Sequence, residues 1–599
     1  MADDTGGRTP GGCFGRALVV DVGTGASSVL PLPEQVLREH LGGVGLGTWL
    51  LTELGPPGVD PLAPEAPLAF VFSPLVGTPL TTSAKFAVVA KSPLTGLLTD
   101  ALASSHFAIS GKLTGHDAIV LVGRAERPSV VRIEGGSVVV EDAGKSWGRT
   151  AAEAEAEVRG RLGGGWQVAS IGTAGERGVR YATISHDGRH AGRGGLGAVL
   201  GAKQVKALAV HATTKVAPAD PEGVLAAAKD LRERSRGRAT AKYRELGTMA
   251  NVLAFNALST LPTRNFTAST FEGALQLSSE ELSQAREVTK SSCASCSIGC
   301  EHLYQGPKGK DGAGRRVRME HQNVSALGPL CGVADPDAVI AASARCDDLG
   351  IDTISAGGTI AWAMECAERG LLDAPWLRFG DADALLRALD EIGSGEGLGP
   401  LLALGSRAAA EVVGQGSSSF AAHVKGLELP GYEPRTMQAM ALGMAVNARG
   451  ADHNRSGAYE ADLSGDLDRL SGGAAHVRGA IEAEDRSAVM DSMVLCRFLR
   501  GVFDEPFEEW ARLLSLVTGW DLTADELRAT AQRIVLAKRA YNLREGWQPE
   551  DDWLPERFLT DELTVGSGRT AALTPATLRS MISAYYEARG LDVDGRPTA

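Results

Sequence analysis

Three cysteines within eight residues constrain this chain more than any other feature: Cys293-Ala294-Ser295-Cys296-Ser297-Ile298-Gly299-Cys300. Thiolates spaced C-x2-C-x3-C can converge on one metal centre from a single turn. The remaining cysteines, Cys13, Cys331, Cys346, Cys366 and Cys496, stand alone. A zinc ribbon would present a second close pair. An iron–sulfur cluster with one distant fourth ligand therefore fits better than zinc or structural thiols.

Composition narrows the class. A chain of 599 residues exceeds a single core and predicts roughly two to four domains. Its net charge of −13 argues against a general nucleic-acid surface. No apolar run reaches the ~18–20 residues of a membrane span. Met1 to Gly12 are small and polar, without the apolar core of a secretory signal. Unpaired cysteines in such a chain point to the reducing cytoplasm.

Along the chain, Ala17–Val22 and Ser28–Leu30 alternate as a hairpin does, and a short helix from Pro33 to Leu41 runs into the glycine cluster Gly42–Gly47. A dinucleotide fold places such glycines after a strand, so that reading is weak. Strands are predicted at Leu68–Ser73, Phe86–Ala90, Ala118–Val122 and Val130–Val140, then at 167–171 and 206–211, with a turn at Lys91–Gly96. A second glycine cluster runs from Arg189 to Gly201. Its Arg189 and Arg193 beside flexible backbone suit an anionic group, or else the stretch is a tight loop before a small-residue helix. From Val216 helical patterns dominate, starting with a long one over Val224–Leu246.

The cysteine trio, with several further motifs, resembles the aldehyde ferredoxin oxidoreductases. The likeness runs in order through Gly42–Gly47, Lys91–Gly96, Ala191–Lys203, Leu261–Phe266, Lys425–Pro430, Asn447–His453, Asn542–Gly546 and Asp551–Pro555. It implies an α+β fold: an N-terminal two-sheet β saddle domain over 14–211, which binds pterin, then two mainly helical domains over 212–415 and 416–599. The implied cofactors are a tungsten (or molybdenum) bis-pterin and a 4Fe-4S cluster, with magnesium a candidate bridge between the pterin phosphates. The fourth iron ligand beside Cys293, Cys296 and Cys300 is then Cys496, in Asp491-Ser492-Met493-Val494-Leu495-Cys496. Asp491 and Leu495 of that motif, and Asp347, Gly350 and Asp352 of Asp347-Asp348-Leu349-Gly350-Ile351-Asp352, fall where the family binds its two pterins. Without the resemblance these aspartates read as helix caps, and Cys496 as a buried apolar cysteine.

The resemblance also places Lys85, Arg189, Ala191, Arg193 and Gly194 at the pterins, and Glu320 and His453 beside the metal as the proton-handling groups. His321 is expected to point elsewhere. This chain departs from the pattern at three places. Ser104 and Ser105 replace paired glycines, Lys85 replaces an arginine and loses its planar fork, and Val494 replaces a glycine. The implied reaction oxidises a small aldehyde with water to a carboxylic acid and passes electrons to ferredoxin or a similar carrier. Nucleic acid and membrane are not expected partners, and a homodimer is allowed. Two alternatives stand: a reductase of the same family acting on an acid or aromatic thioester, and a cluster-bearing electron-transfer subunit without catalysis.

Overall fold

In the computed structural model, residues 9–308, 314–566 and 568–598 are described. The first 212 residues build two six-stranded sheets. The first contains β1 (Arg16–Asp21), β2 (Ser27–Pro31), β3 (Leu68–Val71), β4 (Lys85–Lys91), β5 (Leu98–Ser104) and β6 (Ala118–Val122), in the order β2-β1-β6-β3-β4-β5. The second contains β7 (Ser129–Glu134), β8 (Ser137–Asp142), β9 (Trp166–Ser170), β10 (Ile184–His186), β11 (Arg189–Ala191) and β12 (Val205–His211), in the order β11-β10-β9-β12-β7-β8. β1 with β6, and β12 with β7, are the parallel pairs; the other neighbours run antiparallel.

Strand β4 shows why this sheet lies inside. Phe86 and Val88 join the core between the two sheets, with Phe70, Ile133 and Leu208. Ala87 and Val89, pointing the other way, join a second core with Leu50, Met490 and Leu514. A strand apolar on both faces must be covered twice. The second cover is the Gly43–Leu54 helix, whose opening turns are the first glycine cluster. A Cβ on Gly47 would stand 2.4 Å from Val89 Cγ2, and one on Gly43 would stand 2.3 Å from the Asp491 carbonyl oxygen. These glycines serve close helix packing, not a phosphate.

Several local expectations need correction. Val130–Val140 is two strands, β7 and β8, joined at Gly135-Gly136, where Gly135 has φ 59°. Asp100 lies in β5, and Ser105 caps the His106–Lys112 helix by accepting from the Phe107 N–H at 2.9 Å. The long helix breaks into Pro221–Arg234 and Arg238–Leu246, the second starting after Gly237. The helical half also contains a sheet of β13 (Val288–Ser291), β14 (Glu301–Lys308) and β15 (Gly314–Arg318). The cysteine trio lies in the β13–β14 connection.

One large core draws on residues from Leu94 to Leu591 and takes in both sides of Gly414–Ser419, including Ala410 and Phe420. The Pro221–Arg234 helix packs instead against the Pro506–Thr518 helix. Among the described residues no single helix is long and apolar enough to cross a membrane.

Candidate active site

A cavity of about 690 Å³ opens where the sheets meet the helices. Its size lies within the usual range for a small-molecule site. Of the residues singled out above, Lys85, Arg189, Arg193, Cys293, Cys300, Glu320, Asp347, Asp352, His453 and Cys496 line it. Ala191, Gly194, Cys296, Gly350, Asp491 and Leu495 lie behind that surface.

The four thiols come together from two directions. Cys300 feels the charges of Cys496, Cys293 and Cys296, and burial together with those neighbours pushes its thiol up. The same causes raise Cys296 to about 11. A loop that the sequence did not flag holds the two sources in place. The Thr82 N–H donates to the Ser295 carbonyl at 2.7 Å, and its hydroxyl accepts from the Cys496 N–H at 3.3 Å. Thr81 Oγ1 lies 2.7 Å from Ser297 Oγ. All four cysteines are free of disulfides. Four thiols spread round one space suit a polynuclear iron–sulfur cluster.

Lys85 opens β4 beside these thiols. Burial alone would lower its pKa, but the thiols of Cys496 and Cys293 raise it. Its ammonium stands among the cysteine thiols, in the lining of the cavity that Arg189 and Arg193 share.

The D-x-x-G-x-D motif forms a junction of two helices. Asp347 ends the Pro336–Leu349 helix, Gly350 turns the chain at φ 72°, and Asp352 caps the Thr353–Glu368 helix through the Ile354 and Ser355 N–H groups. Asp347 faces His190, 3.3 Å away, at the cavity surface. Asp352 is already engaged by its cap and by Arg193 Nε at 3.3 Å. Arg193 also donates to the Ala451 carbonyl at 2.7 Å and the Glu428 carbonyl at 2.6 Å. Its fork ties three segments together, while Arg189 is committed to Glu301. A Cβ on Gly194 would stand 1.9 Å from Thr99 Oγ1, so this glycine allows a close chain crossing.

The companion motif is not equivalent. Asp491 is buried and paired with Arg497 at 2.8 Å and Arg455 at 3.4 Å. Arg455 also holds Asp100, with Lys538 3.9 Å away on its far oxygen. Arg449 pairs with Asp452 at 3.2 Å, yet its Nε and one Nη are buried without a hydrogen-bond partner. Unpaired guanidinium donors in a buried, arginine-rich place fit an anionic group such as a phosphate. Val494 keeps the left-handed turn that a glycine would make, at φ 54°, although it is β-branched.

His453 is buried, and its ring stacks on Tyr432 at 5.2 Å. Burial lowers its pKa to about 3, against the pull of Asp452. It is thus neutral near pH 7. His321, expected to point away, also lines the cavity, with its ring edge-on to Phe255 at 4.8 Å. Glu320 precedes the His321–Leu327 helix, where its N–H donates to Asn323 Oδ1 at 2.7 Å, and is exposed to the cavity.

Known proteins with this architecture can now be set beside it. Residues 17–212 match the family description "Aldehyde ferredoxin oxidoreductase, N-terminal domain", and 226–599 match "Aldehyde ferredoxin oxidoreductase, domains 2 & 3". The chain is 35% identical to tungsten-containing aldehyde ferredoxin oxidoreductases of Pyrococcus furiosus and Thermococcus kodakarensis, over 98% of this chain and 97% of each of theirs. It is 29% identical to the WOR-like subunit of an aliphatic sulfonate oxidoreductase of Pyrococcus furiosus, over 97% of this chain and 95% of that one. The solved active-site complex BamBC of benzoyl coenzyme A reductase shares the fold, with TM-score 0.84 at 21% identity, over 98% of this chain and 96% of that one. The chain therefore belongs to the aldehyde ferredoxin oxidoreductase family, as an oxidoreductase.

Proposed function

We propose that this enzyme oxidises an aldehyde and water to a carboxylic acid, releasing two protons and two electrons. A tungsten (or molybdenum) bis-pterin would supply the two-electron acceptor and the oxygen-transfer chemistry when bound. Asp347 and the unpaired donors of Arg449 would hold it, with Arg193 and Asp352 shaping the wall beside them, and magnesium would offset its phosphate charge. Cys293, Cys296, Cys300 and Cys496 would hold a 4Fe-4S cluster. The observation that carries the reading is one cavity that joins three of these thiols, the Asp347–Asp352 junction, Glu320 and His453.

The chain's own groups divide the work. His453 is neutral, so it orients the substrate by donating a hydrogen bond from its ring N–H to the carbonyl oxygen, without giving up the proton. The Glu320 carboxylate accepts the proton released as water adds its oxygen. Electrons leave toward the cysteines. A hollow of about 400 Å³ beside Ser291, Ser292 and Ala294 brings solvent close to Cys293. There ferredoxin or a similar carrier would approach.

The test is metal analysis of anaerobically purified protein, followed by aldehyde-dependent reduction of a viologen dye. About four irons and one tungsten or molybdenum per chain, with turnover, are expected. Irons without the heavier metal would favour an electron-transfer subunit, and zinc alone would overturn the proposal.

A further inference from the structure

One wall of the large cavity is made of residues not assigned above to the cofactor. It is built by the Arg238–Leu246 and Asn251–Ala257 helices, the Tyr459–Leu463 helix and the 497–500 turn. Next to His453 it is aromatic. The rings of Tyr432 and Tyr459 stack at 5.2 Å and 23°, and Phe255 stands 5.3 Å from Tyr432. These rings are buried, whereas Leu258 and Leu463, at the rim of the same cavity, are each 40% exposed. Ring faces favour stacking with a planar aromatic guest, a contact that a flexible alkyl chain does not match.

Beyond the rings the wall becomes cationic. The Arg500 guanidinium sits 5.3 Å from the Tyr459 ring and pairs with Glu460 at 3.2 Å. Arg497 is likewise committed to Asp491. Lys242 differs. Its ammonium donates to the neutral Asn251 Oδ1 and, among the described residues, joins no ion pair. Partial desolvation of its ammonium and the nearby Arg500 lower its pKa, against the pull of Glu280.

We propose that this wall selects an aromatic aldehyde bearing an anionic substituent, of which formylbenzoate is the simplest. Its ring lies against Phe255, Tyr432 and Tyr459, its formyl group faces His453 and Glu320, and its carboxylate meets Lys242. The proposal rests on the aldehyde oxidation above. The reaction is that one with the product acid ionised: formylbenzoate and water give benzenedicarboxylate, three protons and two electrons for the carrier.

The experiment uses metal-loaded enzyme. Initial rates with a viologen acceptor are compared for 4-formylbenzoate, benzaldehyde, 4-(trimethylammonio)benzaldehyde and hexanal, and terephthalate binding is measured by calorimetry. We expect kcat/KM to rank 4-formylbenzoate first and hexanal last. Lys242→Met should cut the preference for 4-formylbenzoate over benzaldehyde about tenfold, and Lys242→Glu should reverse the preference between the anionic and cationic rings. Lys242 is exposed, so neither change threatens folding. Unchanged ratios in both variants, or hexanal ranked first, would overturn the proposal while leaving aldehyde oxidation standing. Absence of all aldehyde turnover, with terephthalate bound by the wild type and lost in Lys242→Glu, would overturn the reaction and keep the site. Absence of both would end the proposal.

Discussion

Glu320 and His453 share one cavity but live in different media, and this decides what each can do. The imidazole is buried among Tyr432 and Tyr459 and is held neutral down to about pH 3. The carboxylate is exposed to the cavity. Glu320→Gln should therefore lower turnover by about 10²–10⁴-fold, with iron and tungsten content and melting temperature unchanged. Wild-type turnover at full metal loading would remove Glu320 as the proton acceptor. Individual residues were legible in the sequence only where chemistry restricts the choice. The cysteine trio could be picked out by its spacing, whereas Cys496 and the motif aspartates stood out only through the family resemblance. Thr82, which ties Ser295 to Cys496, could not, since a threonine in a loop carries no mark of its partners. His321 was misjudged because adjacent residues diverge on a regular helix, whereas here Glu320 precedes the helix and His321 begins it.

Among the elements, the Gly43–Leu54 helix gives the sharpest test of packing against propensity. An Ala in a helix interior is worth about 1 kcal/mol over Gly. At Gly47 the added methyl would stand 2.4 Å from Val89 Cγ2 and 2.9 Å from Val89 Cβ, inside a fully buried strand. Overpacking of this kind costs about 1–3 kcal/mol. Gly47→Ala is therefore expected to destabilise the protein by up to about 2 kcal/mol, read as a lower denaturation midpoint; a gain in stability would show that the helix has room. The elements of the first half were readable where apolar residues run unbroken, as in β3, β4 and β6. The β10–β11 hairpin and the β13–β15 sheet were not. β10 and β11 have three residues each, and Val288-Thr289-Lys290-Ser291 offers one apolar side chain, too few to set a period.

Across the whole molecule, buried histidines set the response to acid. Burial lowers His40, His116 and His321 to about 4, and His186, His423 and His453 to about 3. In the unfolded chain such groups take up protons near pH ~6.5. Their stabilisation is complete above that value and is lost progressively as pH falls toward 4, because the unfolded state then binds more protons. Fewer carboxylates act the other way. Burial raises Glu155 and Asp462 to about 7 and Asp485 to about 6, so they favour the folded state as pH falls through that window. The histidines outnumber them, and the melting temperature should be lower at pH 5 than at pH 7 at matched ionic strength. Calorimetry showing equal or higher stability at pH 5 would contradict this balance.

The split origin of the four thiols also governs how the protein matures. Cys300 leaves the ribosome nearly two hundred residues before Cys496. At ordinary synthesis rates that gap lasts about 10–40 s. Throughout it the trio lacks both the Cys496 thiol and Thr82's bond to Cys496. A cluster delivered during translation would meet three thiols and an open edge. On the ligand set proposed above, loading would await the C-terminal helices, which would make the cluster a late checkpoint on a completed chain and not a seed for its folding.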